Sequence, residues 1–220
     1  AIEQLTITRK SLDARRKGSA RWVYSVSVRL KGEPDEPPEL YRIPRLERAG
    51  APAVVAGFGP AGMCCALALA RAGLRPVVIE RGQDVETRAS KVAAFRRGGA
   101  LDTECNVQFG EGGAGTFSDG KLNTGTHDKR IGFVLREFAA HGAPASVVYD
   151  AKPHVGTDVL SRVVKAIREE IISLGGEVRF GSKLCGLKTG MDGAVSAVLA
   201  SAGGLEYEQD CSALVLATGH

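Results

Sequence analysis

The sequence predicts an α/β chain with a helix-covered parallel sheet, an attached three-stranded antiparallel β-meander, and a small α+β unit ahead of both. Three observations predict it. Residues 53–82 run as apolar strand, glycine-rich turn, helix, second apolar strand and terminal acid, which is the pattern of a parallel βαβ unit. Residues 177–217 hold short apolar runs in quick succession, with Asp192-Gly193 and Gly203-Gly204 between them; such dipeptides make tight hairpins. Residues 1–48 show apolar/polar alternation and then the Pro-rich, acidic segment KGEPDEPPEL, which breaks regular structure.

Taken in order, Ile2 to Thr8 and Arg21 to Leu30 alternate as strands do, with Trp22, Tyr24, Val26 and Val28 across the pleat from their neighbours. A short strand is expected around Tyr41 to Ile43, then a linker through Pro44 and Pro52. Ala53 to Ala56 and Val77 to Ile79 flank the first long helix, and Val85 to Arg97 forms a second with a basic end. Residues 110–125 are too glycine-rich for regular structure. Asp128 to His141 reads as helix and Asp150 to Gly156 as loop. Thr157 or Asp158 is the expected cap of a helix to Leu174, whose stripe is Val159, Val163, Ala166, Ile167 and Ile171. Gly175-Gly176 ends it. Strands follow at Glu177–Phe180, Lys183–Lys188, Ala194–Ala200, Leu205–Gln209 and Ala213–Ala217.

The 220 residues suffice for one large or two small domains, and 44% hydrophobic with 25% charged content is that of an ordinary soluble globular protein. No apolar run approaches the roughly 20 residues of a membrane helix, and AIEQLTITRK lacks the make-up of a signal peptide. The five cysteines have neither CxxC nor zinc spacing, so a reducing cytoplasm is the expected compartment. Cys64-Cys65 is either a redox dithiol or a pair of small apolar residues packing a helix, and packing is favoured. Residues 1–50 carry 11 Lys/Arg and 7 Asp/Glu, so the whole surplus of +4 lies there. A nucleic-acid partner is not expected, because aromatic residues are sparse and no recognition motif is present.

The chemistry concentrates in Gly57-Phe58-Gly59-Pro60-Ala61-Gly62. Gly57 allows the tight turn, Gly59 lets backbone approach a pyrophosphate, and Gly62 lets the helix pack close to the sheet. The helix start presents unpaired N–H groups and the positive end of its dipole, and Pro60 fits near the first position because its missing N–H is not needed there. Glu80, 23 residues after Gly57, can accept hydrogen bonds from ribose hydroxyls and would repel a 2′-phosphate. A glycine-rich βα turn without a ligand is the alternative. Residues 1–48 therefore form an accessory unit, and 51–220 a Rossmann-like dinucleotide-binding domain.

The fingerprint, Glu80-Arg81, the meander and a strand ending Ala217-Thr218-Gly219 together resemble the FAD-binding domain of glutathione-reductase-like flavoproteins. The runs FGEGGAGTFSDGKL (109–122) and KPHVGTD (152–158), with SLDARRKGSARWVYSVSV near the start, are similar to the bacterial flavoproteins known as uncharacterised FAD-dependent dehydrogenases. The resemblance implies an FAD-dependent oxidoreductase whose flavin accepts a hydride from a small-molecule substrate, with NAD(P)H a candidate electron donor. Family members continue beyond the Ala217-Thr218-Gly219 strand. The chain is thus expected to be the N-terminal part of a longer protein, with the missing C-terminal region as a partner.

By that resemblance Gly57, Gly59, Pro60, Ala61 and Gly62 hold the pyrophosphate, and Glu80 holds the adenosine ribose. Arg81 is either near adenine or phosphate, or a plain surface base. Successive glycines from Gly110 onward form an anion-binding nest, and the resemblance sets Gly112, Gly113, Gly115, Thr116, Ser118 and Lys121 beside the flavin, with Asp119 near them. A mobile surface lid is the alternative. Backbone at Leu184 touches adenine by analogy, and Ala217, Thr218 and Gly219 close over the pyrophosphate side. His154 is either a proton donor beside the flavin or, as favoured, a structural histidine. Neither a Ser-His-Asp pattern nor a metal cluster is visible, so no catalytic residue is assigned; in flavin enzymes the cofactor carries the redox chemistry. Two other classes compete: an NAD-linked dehydrogenase using the fingerprint directly, and a flavoprotein that docks RNA through its basic N-terminal unit.

Overall fold

The computed structural model describes all residues except 16–17, 35–41, 48–49, 118–119, 123–127, 129 and 220. The N-terminal alternation becomes a two-stranded antiparallel hairpin of β1 (Ile2–Asp13) and β2 (Arg21–Leu30). β1 runs well past Thr8 because irregularities between Ile2 and Gln4 and between Ile7 and Arg9 reset its register. Each extra residue flips the following side chains to the other face. Ile2, Leu5, Ile7 and Leu12 consequently lie opposite Leu30, Val28, Val26 and Trp22 on one apolar face. Gln4, Thr6 and Arg9 oppose Arg29, Ser27 and Ser25 on the other. Among its described residues the N-terminal unit holds this hairpin and no helix. Arg42 and Ile43 are in no strand, and Tyr41 lies outside the described residues.

A parallel sheet carries the rest. β3 (Ala53–Ala56) leads through the glycine turn into α1 (Pro60–Arg71), then β4 (Val77–Ile79) and α2 (Val85–Arg96). α1 is rich in Ala and Leu, good helix formers, and buries Gly62, Met63, Ala66, Leu67 and Ala70 along one stripe. Asp84 caps α2 by accepting from Thr87 N at 2.8 Å. After a 3₁₀ turn at Ala114–Phe117 come α3 (Ile131–Ala140), a second 3₁₀ turn and α4 (Thr157–Ser173). α3 starts later than expected: Asp128 instead makes a turn, accepting from Ile131 N through its carbonyl and from Arg130 N through its carboxylate. Neither Thr157 nor Asp158 caps α4. Gly156 does so without a side-chain bond, and both predicted caps lie inside the helix.

The chain closes with β5 (Glu177–Arg179), β6 (Ser182–Thr189), β7 (Val195–Ala202), β8 (Leu205–Asp210) and β9 (Ala213–Leu216). The parallel sheet has the order β5-β4-β3-β9, and β6-β7-β8 is the antiparallel meander. Alternation along the strands separates two cores. Val55 and Val78 face Met63 and Leu67 of α1 and Val163, Ile167 and Ile171 of α4. Val54, Val77 and Ile79 face Val198 and Ala200 of the meander. The meander thus covers the sheet face opposite α1 and α4, and the carboxyl ends of β3 and β4 converge on the glycine turn.

Candidate functional site

The turn after β3 is held in place by its neighbours. Gly57 N donates to Ile79 O at 2.8 Å, tying the turn to β4. Gly57 has φ +101°, and a Cβ there would lie 2.5 Å from Ala217 O. A Cβ on Gly62 would collide with Gly57 O. Helix α1 therefore starts as close to the sheet as backbone permits. Gly59 is different: among the described residues a Cβ on it would meet only Gly113 Cα, at 3.9 Å, which leaves its flank open to them.

Glu80 does more than expected. It is 5% exposed; Oε2 accepts from Phe58 N at 2.7 Å and Oε1 from Gly82 N at 2.8 Å. One carboxylate thus fixes the fingerprint turn and the turn after β4. Each oxygen keeps a second lone pair for another donor. Arg81 is turned aside: its guanidinium pairs with Glu104 at 2.7 Å and lies 4.2 Å above the Phe109 ring.

The second glycine loop meets the first. Gly112 N donates to Phe58 O at 2.8 Å, and a Cβ on Gly113 would sit 3.3 Å from Gly59 Cα. Gly112 and Gly113 both have positive φ, +80° and +66°, so consecutive backbone units curve as in an anion nest. Thr116 is buried against this bend, its hydroxyl 3.5 Å from Glu111 O. Gly115 and Lys121 are exposed. Lys121 bridges His154 through backbone, with Leu122 N on Pro153 O and Val155 N on Gly120 O. His154 is exposed on that bridge. Ser118 and Asp119 lie outside the described residues. Leu184 is half-buried against the meander core, and Ala217 N reaches Ala56 O at 2.8 Å, which keeps Ala217-Thr218 beside Gly57. The structure brings together the Gly57–Gly62 turn, Glu80, Gly112, Gly113, Ala217 and Thr218.

Two charged residues beneath the loop escaped the sequence reading. Arg88 is fully buried. Its Nε donates to Asn106 O (2.8 Å), Nη1 to Glu111 O (2.6 Å) and Nη2 to Val107 O (2.8 Å), while the group stacks 4.7 Å from the Phe117 ring. Burial lowers its pKa to about 10, which leaves it protonated at neutral pH. Glu111, also fully buried, accepts through Oε2 from Val85 N at 2.7 Å and from Arg168 at 3.0 Å. Burial raises its pKa to about 7 against the opposing pull of Val85 N–H and Arg168. Its Oε1 has no partner among the described residues. The available signal was periodicity: Arg88 shares the buried stripe of α2 with Val85 and Val92.

The vicinal cysteines are not bonded to each other. Burial, then the charge of Glu137, pushes the Cys64 thiol up to about 11, and burial raises Cys65. A reactive dithiol needs a lowered pKa, so packing is their role. No group of three metal-ligating side chains occurs among the described residues, and no helix there is long and apolar enough to cross a membrane.

A glycine turn at the carboxyl ends of parallel strands, an acid on the next strand and a meander on the far sheet face define a Rossmann-like dinucleotide-binding fold. The family described as "FAD binding domain" matches residues 53–103, the stretch from β3 past α2. Across its whole length the chain is 46% identical to an "Uncharacterized protein" of Clostridium beijerinckii, over 233 aligned residues. It spans 43% of that curated relative's length. Among solved structures it is similar to Thermovibrio ammonificans THI4 (16% identity, TM-score 0.49, 77% of this chain and 58% of that one). It is also similar to a 3-ketosteroid-Δ4-(5α)-dehydrogenase from Rhodococcus jostii RHA1 (19%, TM-score 0.45, 81% and 49%).

Proposed function

We propose that the chain is the FAD-binding part of a flavin-dependent oxidoreductase, in which a small organic substrate or a reduced nicotinamide delivers hydride to the flavin. The observation that carries this is the contact of two glycine loops, Gly57–Gly62 and Gly110–Gly113, at the flank of Gly59; the first loop lies in the segment, residues 53–103, that matches an FAD-binding family. FAD supplies the hydride-accepting ring. The chain's own residues bind and orient it. Backbone N–H groups at the start of α1 face the pyrophosphate, and Pro60 removes none that the helix needs. The free lone pairs of Glu80 accept from ribose hydroxyls. Gly112, Gly113 and Gly115 direct N–H groups at the flavin side, with Thr116 bracing the bend and Ser118 and Lys121 beyond it. Leu184 backbone borders adenine, and Ala217, Thr218 and Gly219 flank the pyrophosphate. Arg81, engaged with Glu104 and Phe109, borders the adenine side without a phosphate role. The five thiols, none of them in a disulfide, support a reducing cytoplasm.

Titration of the purified chain with FAD, and with NAD in parallel, tests this by thermal shift and flavin fluorescence. Saturable stabilisation by FAD alone is the expected outcome; stabilisation by NAD alone overturns it. Gly57→Ala sharpens the result. A Cβ there meets Ala217 O in a backbone conformation that L-residues avoid. FAD affinity should fall at least about tenfold, or about 1.4 kcal/mol.

A further inference from the structure

The hairpin presents an apolar face that none of the described residues covers. Trp22, Leu5 and Leu12 are more than half exposed there, and Tyr24, Val26 and Val28 more than two-fifths. Two register irregularities in β1 keep its apolar residues on that one side, while the reverse side carries Gln4, Thr6, Arg9, Ser11, Ser25, Ser27 and Arg29, with Val23 its one large apolar side chain. A two-stranded ribbon is marginal in water unless one face packs on a further layer, and contiguous apolar surface of this kind marks an interface. Among the described residues the main domain meets the hairpin along the β1 edge. There Lys10 N donates to Tyr149 O and Ala151 N to Lys10 O, and the Lys10 ammonium lies 3.6 Å from Asp150 and 4.6 Å from the Trp22 ring centroid.

We propose that this face is the docking site of one amphipathic helix of the same polypeptide, from the part of the longer protein outside these 220 residues. The curated relative matches the chain throughout yet is more than twice as long, so polypeptide is at hand without a second molecule. The dimensions fit a single helix. Ten residues of strand extend about 33 Å, the length of a helix of about 20 residues. Two strands about 4.8 Å apart, with their side chains, match one helix about 10 Å wide. A helix apolar on one stripe and polar on the other completes a two-layer unit with the charged reverse face in water.

Paired cysteine substitutions in the full-length protein test the proposal. Val26→Cys and Ser25→Cys are neighbours on opposite faces of β2, as are Val28→Cys and Ser27→Cys. Maleimide labelling rates are read by peptide mass mapping. The expected result is labelling at least tenfold slower at 26 and 28 than at 25 and 27, at every protein concentration, with cross-links from 26 or 28 running to a helical segment of the same chain. Equal rates on the two faces overturn the proposal. So does protection that grows with protein concentration alongside a dimer in light scattering, which assigns the face to a second copy. Because the readout is independent of FAD, failure here leaves the cofactor assignment untouched.

Discussion

Arg88 and Glu111, two charged residues, are wholly buried beneath the glycine cradle, whereas Trp22 and Leu12 are 57% and 56% exposed on the N-terminal hairpin. Both regions reverse the usual sorting of residues by polarity, for opposite reasons. The cradle loop has too few apolar side chains to hold itself and presents carbonyls inward. A guanidinium satisfies three of them at 2.6–2.8 Å, so charge takes the place of a hydrophobic plug. The hairpin has the apolar side chains but no second layer among the described residues. Burial of charge therefore marks where backbone must be fixed, and exposure of apolar surface marks where a layer is wanting.

The comparison breaks most easily at Arg88. Arg88→Met keeps the stem and removes the donors, leaving buried carbonyls of Asn106, Val107 and Glu111 unpaired. Such losses amount to about 3–5 kcal/mol, a large part of the stability of a small domain. Urea unfolding should show it as a lower midpoint, together with weakened FAD binding. Arg88→Lys should recover little, since one ammonium lacks the planar fork that reaches several carbonyls. A loss under about 1 kcal/mol would mean that the loop stands without its cation.

Glu111 gives the next largest effect, and it has a sign. Its folded pKa of about 7 lies above the ordinary 4.5, so the folded state holds its proton where the unfolded chain has lost it. The stability this group adds is full below pH 4.5 and is lost as pH rises to 7. The full span is about 3 kcal/mol. Other carboxylates act the opposite way: a hydrogen bond from Arg71 lowers Glu170, and one from Lys91 lowers Asp102. The quantity to measure is therefore the stability of wild type minus that of Glu111→Gln. It should fall between pH 4.5 and 7 and flatten above. A difference constant across that range would show that the carboxyl is ionised throughout.

These two residues also show where the sequence stops being legible. The fingerprint, the first helix, the meander and Glu80 could be read because each is set by neighbours within a few residues: glycine spacing, alternation, an acid at a strand end. The cage is not local. Arg88 reaches carbonyls 18 to 23 residues away, and Glu111 reaches Arg168 of α4, 57 residues on. From sequence alone they look like solvated charges on a helix and a loop. The misplaced start of α3 and the cap of α4 fail for a milder reason: Asp128 and Thr157 are good caps by type, but the backbone turned one to three residues away from them. Glu80 was legible as an acid at the end of β4 beside the glycine turn, and its grip on Phe58 N and Gly82 N was not, because that depends on how closely β3 and β4 sit.

The smallest effect is expected at the most apolar side chain of the hairpin. Trp22→Ser removes the only tryptophan of the chain, a change that in a core costs about 3–5 kcal/mol. Here most of the ring already meets water, and its main contact in the structure is the Lys10 ammonium at 4.6 Å; an exposed cation–π pair is worth about 0.5–1 kcal/mol. The 220-residue chain should therefore lose no more than about 1 kcal/mol in urea unfolding, several-fold less than at Arg88. In the full-length protein the same substitution should approach the core value, because a covering helix makes Trp22 interior. A core-sized loss already in the short chain would show that Trp22 is buried there and that the two regions do not differ as described. A surface-sized loss in both would leave the hairpin an isolated ribbon, stable without a second layer against the expectation for two strands alone.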